Sequence, residues 1–92
     1  MAVYTIIYPE SYIRRARKFL KRHPELAQQY KKTLQLLEIN PHHPSLRLHR
    51  LKGRPACLHA VSINISYRIS LEIVIREKEI ILVNVGAHEE VY

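Results

Sequence analysis

Apolar and polar residues alternate at two periods along this chain, and the change of period divides it. Residues 3–8 are rich in β-branched and aromatic side chains and predict a strand. Pro9 cannot donate to a ladder but suits the first turn of a helix. Tyr12, Ile13, Ala16, Phe19 and Leu20 then fall at helical spacing, with Arg14, Arg15, Arg17, Lys18, Lys21 and Arg22 around the other side. His23 and Pro24 break that helix, and Pro24 can start a second. Leu26, Tyr30, Leu34 and Leu37 recur at helical intervals, and the second helix must stop near Asn40 and Pro41. Two amphipathic helices joined by a tight break predict an αα-hairpin.

After Pro41 the period drops to two. Residues 46–51 alternate and predict a short strand, followed by a turn at 52–55. Residues 58–63 predict the next strand. Residues 67–75 give the clearest one, with Tyr67, Ile69, Leu71, Ile73 and Ile75 on one side and Arg68, Ser70 and Glu72 on the other. Glu77 and Lys78 turn the chain back. Residues 80–85 are almost continuously apolar, as in a central strand, and Gly86 is expected to end it. The order β-α-α-β-β-β-β predicts a single α+β domain over residues 1–92. The helix pair covers one face of a mainly antiparallel sheet, and the other face is left open.

A tight turn centred on Asn64 and Ile65 would make Val61 oppose Arg68 and His59 oppose Ser70. Opposed residues share a face. This register puts Cys57, His59, Val61, Arg68, Ser70 and Glu72 on the open face and Leu58, Ala60, Tyr67, Ile69 and Leu71 against the helices. A three-residue turn would move His59 to the core side, because a one-residue slip exchanges the faces.

Composition adds an electrostatic layer. The 92 residues carry 15 Lys+Arg against 8 Asp+Glu, a formal charge of +7, and hydrophobic residues are 47% of the chain. All the acids are Glu. Residues 11–54 hold twelve cations and two Glu, and residues 55–92 hold three cations and five Glu. A small domain so basic along one stretch attracts polyanions, nucleic acid first among them; a solubility charge on solvated helix faces is the competing reading. The longest apolar runs fall far short of the roughly 20 residues that span a bilayer, and no secretory signal is visible, so no membrane partner is expected. Cys57 is the only cysteine, which excludes an intrachain disulfide framework and suits the reducing cytoplasm.

With only Gly53 and Gly86, no Gly-rich phosphate loop exists. His42, His43 and His49 have no acidic residue near them and are read as a solvated loop, so no metal and no cofactor is expected. The more promising set is His49, His59, Arg68, His88 and Tyr92. Metal-free RNA cleavage needs a base for the 2′-OH, an acid for the leaving 5′-oxygen and a cation for the charge that builds on phosphorus. Histidine suits both proton transfers near neutral pH, Arg suits the charge, and Tyr can stack on a base. Against this stand a plain surface pairing of Arg68 with Glu72 and a simply frayed end for His88 and Tyr92.

The basic helix pair, residues 48–53, the Tyr67, Arg68, Ile69 strand and the closing segment 85–92 together resemble the RelE/ParE superfamily of type II toxins. The ending, with His88 and Tyr92, is most similar to the YafQ-like mRNA interferases. The resemblance covers nearly the whole chain. It implies a toxin that enters the ribosomal A site and cleaves mRNA without a metal. An adjacent acidic antitoxin would neutralise it, giving a toxin–antitoxin hetero-oligomer. It implies that Arg68 stabilises the scissile phosphate, that His88 does acid–base work, and that Tyr92 holds the substrate. His59 falls where such toxins carry Lys or His, and His49 matches more loosely. Arg14, Lys18, Lys21, Arg22, Lys31, Arg50 and Lys52 are the expected contacts to RNA and ribosome. Two other readings share the fold: a ParE-type gyrase poison without nuclease activity, and a non-catalytic nucleic-acid binder.

Overall fold

The computed structural model describes residues 3–53 and 58–87. Strand β1 (Thr5–Ile7) leads through Pro9, in extended conformation, into helix α1 (Glu10–Arg22). Glu10 in the first turn and Lys21 and Arg22 in the last complement the helix dipole. Tyr12, Ala16 and Phe19 are its buried stripe. His23 cannot continue the helix easily, because it precedes a proline. Pro24 opens a single 3₁₀ turn, Pro24–Leu26, and helix α2 (Ala27–Ile39) follows.

Helix α2 buries Tyr30, Thr33 and Leu37. The Thr33 hydroxyl donates to the Gln29 carbonyl at 2.8 Å, which lets a polar residue sit 3% exposed. The hydroxyls of Tyr12 and Tyr30 meet at 2.6 Å and join the two helices inside the core. Burial pushes both phenols above their usual pKa; the neighbouring Tyr30 adds to the rise at Tyr12. The backbone N–H groups of Val3 and Tyr4 both donate to the Glu38 carbonyl and tie the start of the chain to the end of α2.

The five strands lie in the order β1-β5-β4-β3-β2, with β2 His49–Arg50, β3 Leu58–Ser62, β4 Tyr67–Val74 and β5 Glu79–Ala87. Strand β1 runs parallel to β5, and the other three pairings are antiparallel. The helices cover one face. Their side chains form one cluster with Val61, Ile63, Ile69, Leu71, Ile80, Leu82 and Val85. Each large side chain so buried contributes about 1.5–3 kcal/mol relative to exposure. No described helix is long and apolar enough to cross a membrane.

Three expectations need correction. Only His49–Arg50 of residues 46–51 is strand. Pro44 starts a 3₁₀ turn, Pro44–Leu46, capped by His43, and Arg47 then adopts a left-handed backbone (φ 50°), so the alternation there never becomes a ladder. Strand β5 also runs through Gly86, which pairs with Arg68, rather than ending at it.

The third correction is the β3–β4 register. Ser62, not Val61, opposes Arg68; Ala60, not His59, opposes Ser70. The connection is three residues long, 64–66, and the Ile63 N–H donates to the Tyr67 carbonyl at 3.0 Å. Asn64 sets this length. Its side-chain oxygen accepts from the N–H groups of Ser66 and Tyr67, both at 2.9 Å, and mimics a backbone turn. Tyr67, Ile69 and Leu71 face the helices as expected, whereas the two faces of β3 are exchanged. Val61 is in the core, and Leu58 and Ala60 share the side of Arg68.

Candidate functional site

The face opposite the helices carries two rows of side chains. His49, Ala60, Ser70 and Asn84 lie in register across β2, β3, β4 and β5. Ser62, Arg68 and Gly86 form the row beside it. From strand and residue spacings, the Cα atoms of His49 and Arg68 stand roughly 12 Å apart.

Arg68 is half-buried in a strand, where a guanidinium needs partners or water. Its Nη1 donates to the Ser62 hydroxyl at 3.2 Å, to the Tyr67 carbonyl at 3.1 Å and to the Asn64 carbonyl. The side chain is thereby held at the β3–β4 turn. Nε and Nη2 make no hydrogen bond among the described residues and supply a fixed cation with donors remaining. His49 is exposed, and its Nδ1 lies 2.9 Å from the Arg47 carbonyl. A carbonyl only accepts, so Nδ1 carries the proton and Nε2 is the basic nitrogen of the neutral ring. A shallow cavity of about 290 Å³ adjoins it, lined by His49, Arg50, Leu51 and Lys52.

Of the expected set, His49 and Arg68 lie on the same side of the sheet, His49, Arg50 and Lys52 line one cavity, and Arg50, opposite His59, is on the other side of the sheet. His59 does not join His49 and Arg68. It opposes Leu71 and Arg50 on the side of β3 that carries Val61, the outcome foreseen for a three-residue turn. His88 and Tyr92 lie outside the described residues, as does Cys57. Arg14, Lys18, Lys21 and Arg22 are exposed on α1, and Lys31 is exposed on α2. Glu72 opposes Leu58 and makes no ion pair with Arg68 among the described residues. His43 does structural work: its Nδ1 accepts from the Ser45 N–H at 3.2 Å. Among the described residues, no three His, Cys, Asp or Glu side chains gather as metal ligands.

Four contributors escaped sequence reasoning. Ser62 and the Asn64 carbonyl hold Arg68, a role that depends on the turn length. Arg15 and Asn84 finish the outer edge of β5, which β1 covers only from Glu79 to Ile81. There Arg15 Nη1 donates to the Val83 carbonyl at 2.9 Å, and the Asn84 side-chain oxygen accepts from the Val85 N–H at 2.9 Å. Such covered edges do not template pairing with another chain. The one available signal was Asn84, the lone polar residue in an apolar run.

No family model matches the sequence, and no curated protein is similar to it at a significant level. Solved structures do match. A chain of the Escherichia coli DinJ–YafQ toxin–antitoxin complex superposes with a TM-score of 0.79 over 98% of both chains at 17% identity. YafQ from Escherichia coli BL21(DE3) gives 0.78 over 97% of this chain and 98% of its own, at 14% identity. A chain of the archaeal RelE–RelB complex from Pyrococcus horikoshii OT3 gives 0.71 over 92% and 94%, at 16% identity. The chain has the fold of the RelE/ParE toxins, with YafQ among its near structural neighbours.

Proposed function

We propose that this chain is the toxin of a type II toxin–antitoxin pair and acts as a metal-independent, ribosome-dependent mRNA endoribonuclease in the cytoplasm. The observation that carries the reading is that Arg68 and His49 stand on the same side of the sheet, opposite the helices. The shared fold supports it, as does a charge of +7 concentrated in residues 11–54.

In the proposed reaction, His49 Nε2 takes the proton of a ribose 2′-OH. The 2′-oxygen attacks the adjacent phosphorus, the bond to the 5′-oxygen breaks, and a 2′,3′-cyclic phosphate results. Arg68 offers its remaining N–H groups to the phosphoryl oxygens as charge builds there, a contribution that strengthens in the transition state. His88 is assigned the proton for the leaving 5′-oxygen, and Tyr92 holds the neighbouring base. His59, on the other side of β3, has no part. Lys52 near His49, Arg50 on the other side of the edge strand, Arg14, Lys18, Lys21 and Arg22 of α1, and Lys31 hold RNA and ribosome through phosphate contacts.

The partner that restrains the toxin is an acidic antitoxin, whose charge would complement the basic surface. The fold neighbours in complexes with DinJ and RelB support such a partner. A reconstituted translation assay tests the reading. The wild-type chain should cut mRNA on ribosomes, and Arg68→Ala and His49→Ala should each cut far more slowly. Equal cleavage by all three would remove the assignment.

A further inference from the structure

A second basic feature lies away from the sheet face, between the C-terminal half of α1 and the outer edge of β5. It is a cleft of about 330 Å³, within the roughly 300–1,000 Å³ of small-molecule sites, lined by Arg15, Lys18, Arg22, His23, Phe19 and Val85, with Asn84 at its margin. We propose that this cleft binds one nucleotide of single-stranded RNA, with phosphate on the cations and a base against His23. The proposal extends the RNA reading above by assigning a second contact, at the edge between α1 and β5.

Charge is the first argument. Arg15, Lys18 and Arg22 are spaced three and four apart and form one stripe of α1. None of them has an acidic partner among the described residues; the ion pair found there joins His23 to Glu25 at 3.5 Å. Like charges at i and i+4, as for Lys18 and Arg22, cost helix stability unless an anion neutralises them. Arg15 is anchored by the Val83 carbonyl and so is held at the cleft wall rather than waving in solvent.

The aromatic wall is the second argument, and it is independent of charge. The His23 ring lies 5.0 Å from Phe19 and 4.7 Å from Tyr67, centroid to centroid, and Phe19 and Tyr67 are themselves 5.3 Å apart, edge to face. Two buttressing rings fix the imidazole, whose side chain is 25% exposed. A fixed, partly exposed ring beside cations matches the two chemistries of a nucleotide. Base stacking tolerates any sequence, and phosphate contacts follow the backbone. A solvated helix face would need the cations but not the buttressed ring. An acidic peptide would likewise use the charges without the stack.

Fluorescence anisotropy with a fluorescein-labelled 2′-O-methyl RNA decamer, which cannot be cleaved, tests this on the full chain. Lys18→Gln/Arg22→Gln should weaken binding at least about tenfold and flatten the log–log salt slope by about 1.4, at roughly 0.7 per phosphate contact on single strands. Arg17→Gln/Arg76→Gln removes the same charge from outside the cleft and should change affinity less than about threefold. His23→Ala should weaken the decamer about 5- to 50-fold, leave an abasic decamer nearly unaffected, and be rescued by His23→Phe. Equal losses in the two double variants, or equal effects of His23→Ala on both oligomers, would overturn the proposal. So would a deca-glutamate peptide whose binding depends on Lys18 and Arg22 while the RNA's does not, since the cleft would then take a protein segment. Binding is read apart from cleavage. A chain that binds as described yet leaves cellular mRNA intact keeps this site and loses the nuclease reading; one that cuts mRNA but binds RNA equally well without Lys18 and Arg22 loses this site alone.

Discussion

The two faces of the sheet are made by alternate residues of the same strands, yet they are built for different ends. On the helix side, Val61, Ile69, Leu71 and Leu82 are at most 1% exposed, and the buried hydroxyls there are satisfied, Tyr12 and Tyr30 by each other and Thr33 by the Gln29 carbonyl. On the other side a guanidinium is fastened to a turn by Nη1 alone, and an imidazole has its tautomer set by a backbone carbonyl. The first arrangement lowers the energy of the fold. The second holds charged and titratable groups in fixed positions, which is what a site needs before a substrate arrives.

That contrast is breakable by substitution. The largest expected effect is at Arg68: Arg68→Ala should slow RNA cleavage on the order of 10²–10⁴, while urea unfolding shows a loss of only about 1–2 kcal/mol from the turn contacts. If stability falls as steeply as rate, Arg68 is a turn brace and not a transition-state cation. On the helix side, Leu71→Ala should cost about 2–5 kcal/mol, read by chemical denaturation, and leave the cleavage rate of the folded fraction near wild type.

Smaller effects sharpen the picture. Tyr12→Phe should cost about 1–2 kcal/mol, because it strips a buried hydroxyl of its partner. The same pair predicts alkaline sensitivity. Burial raises both phenol pKa values above 10.0, so the folded chain keeps protons that the unfolded chain has lost. Stability from this source is fully present below pH 10 and falls as pH rises beyond it. Unfolding followed between pH 8 and 11 should show the decline, and Tyr12→Phe should flatten it. The smallest change is Asn64→Ala, at about 1 kcal/mol in thermal or urea unfolding, with a lower cleavage rate because Arg68 loses its seat.

How much of this could be read from the residues differs from strand to strand. Strand β4 was legible, because Tyr67, Ile69 and Leu71 alternate cleanly with Arg68 and Ser70, so the period alone assigns the faces. Strand β3 was not. Leu58, Ala60 and Val61 do not alternate, so its facing depends on the turn, and the turn depends on Asn64 folding its side chain back onto the backbone. One residue of loop length therefore exchanged Val61 for Ser62 opposite Arg68 and moved His59 to the other side of the sheet. His23 was visible only as a helix breaker, since its rings of contact come from Phe19 one turn earlier and Tyr67 far along the chain. The helix pair was legible throughout, because the stripe Tyr12, Ala16, Phe19 follows from local spacing.

The central claim is that Arg68 and the groups on its side of the sheet break RNA. Sequencing of transcript 3′ ends after induction of the wild-type chain and of Arg68→Ala addresses it most directly. The account predicts new ends bearing 2′,3′-cyclic phosphates within translated reading frames for the wild type and their near disappearance in the variant. Growth arrest with intact transcripts and altered DNA supercoiling would contradict it and point to a gyrase poison on the same fold.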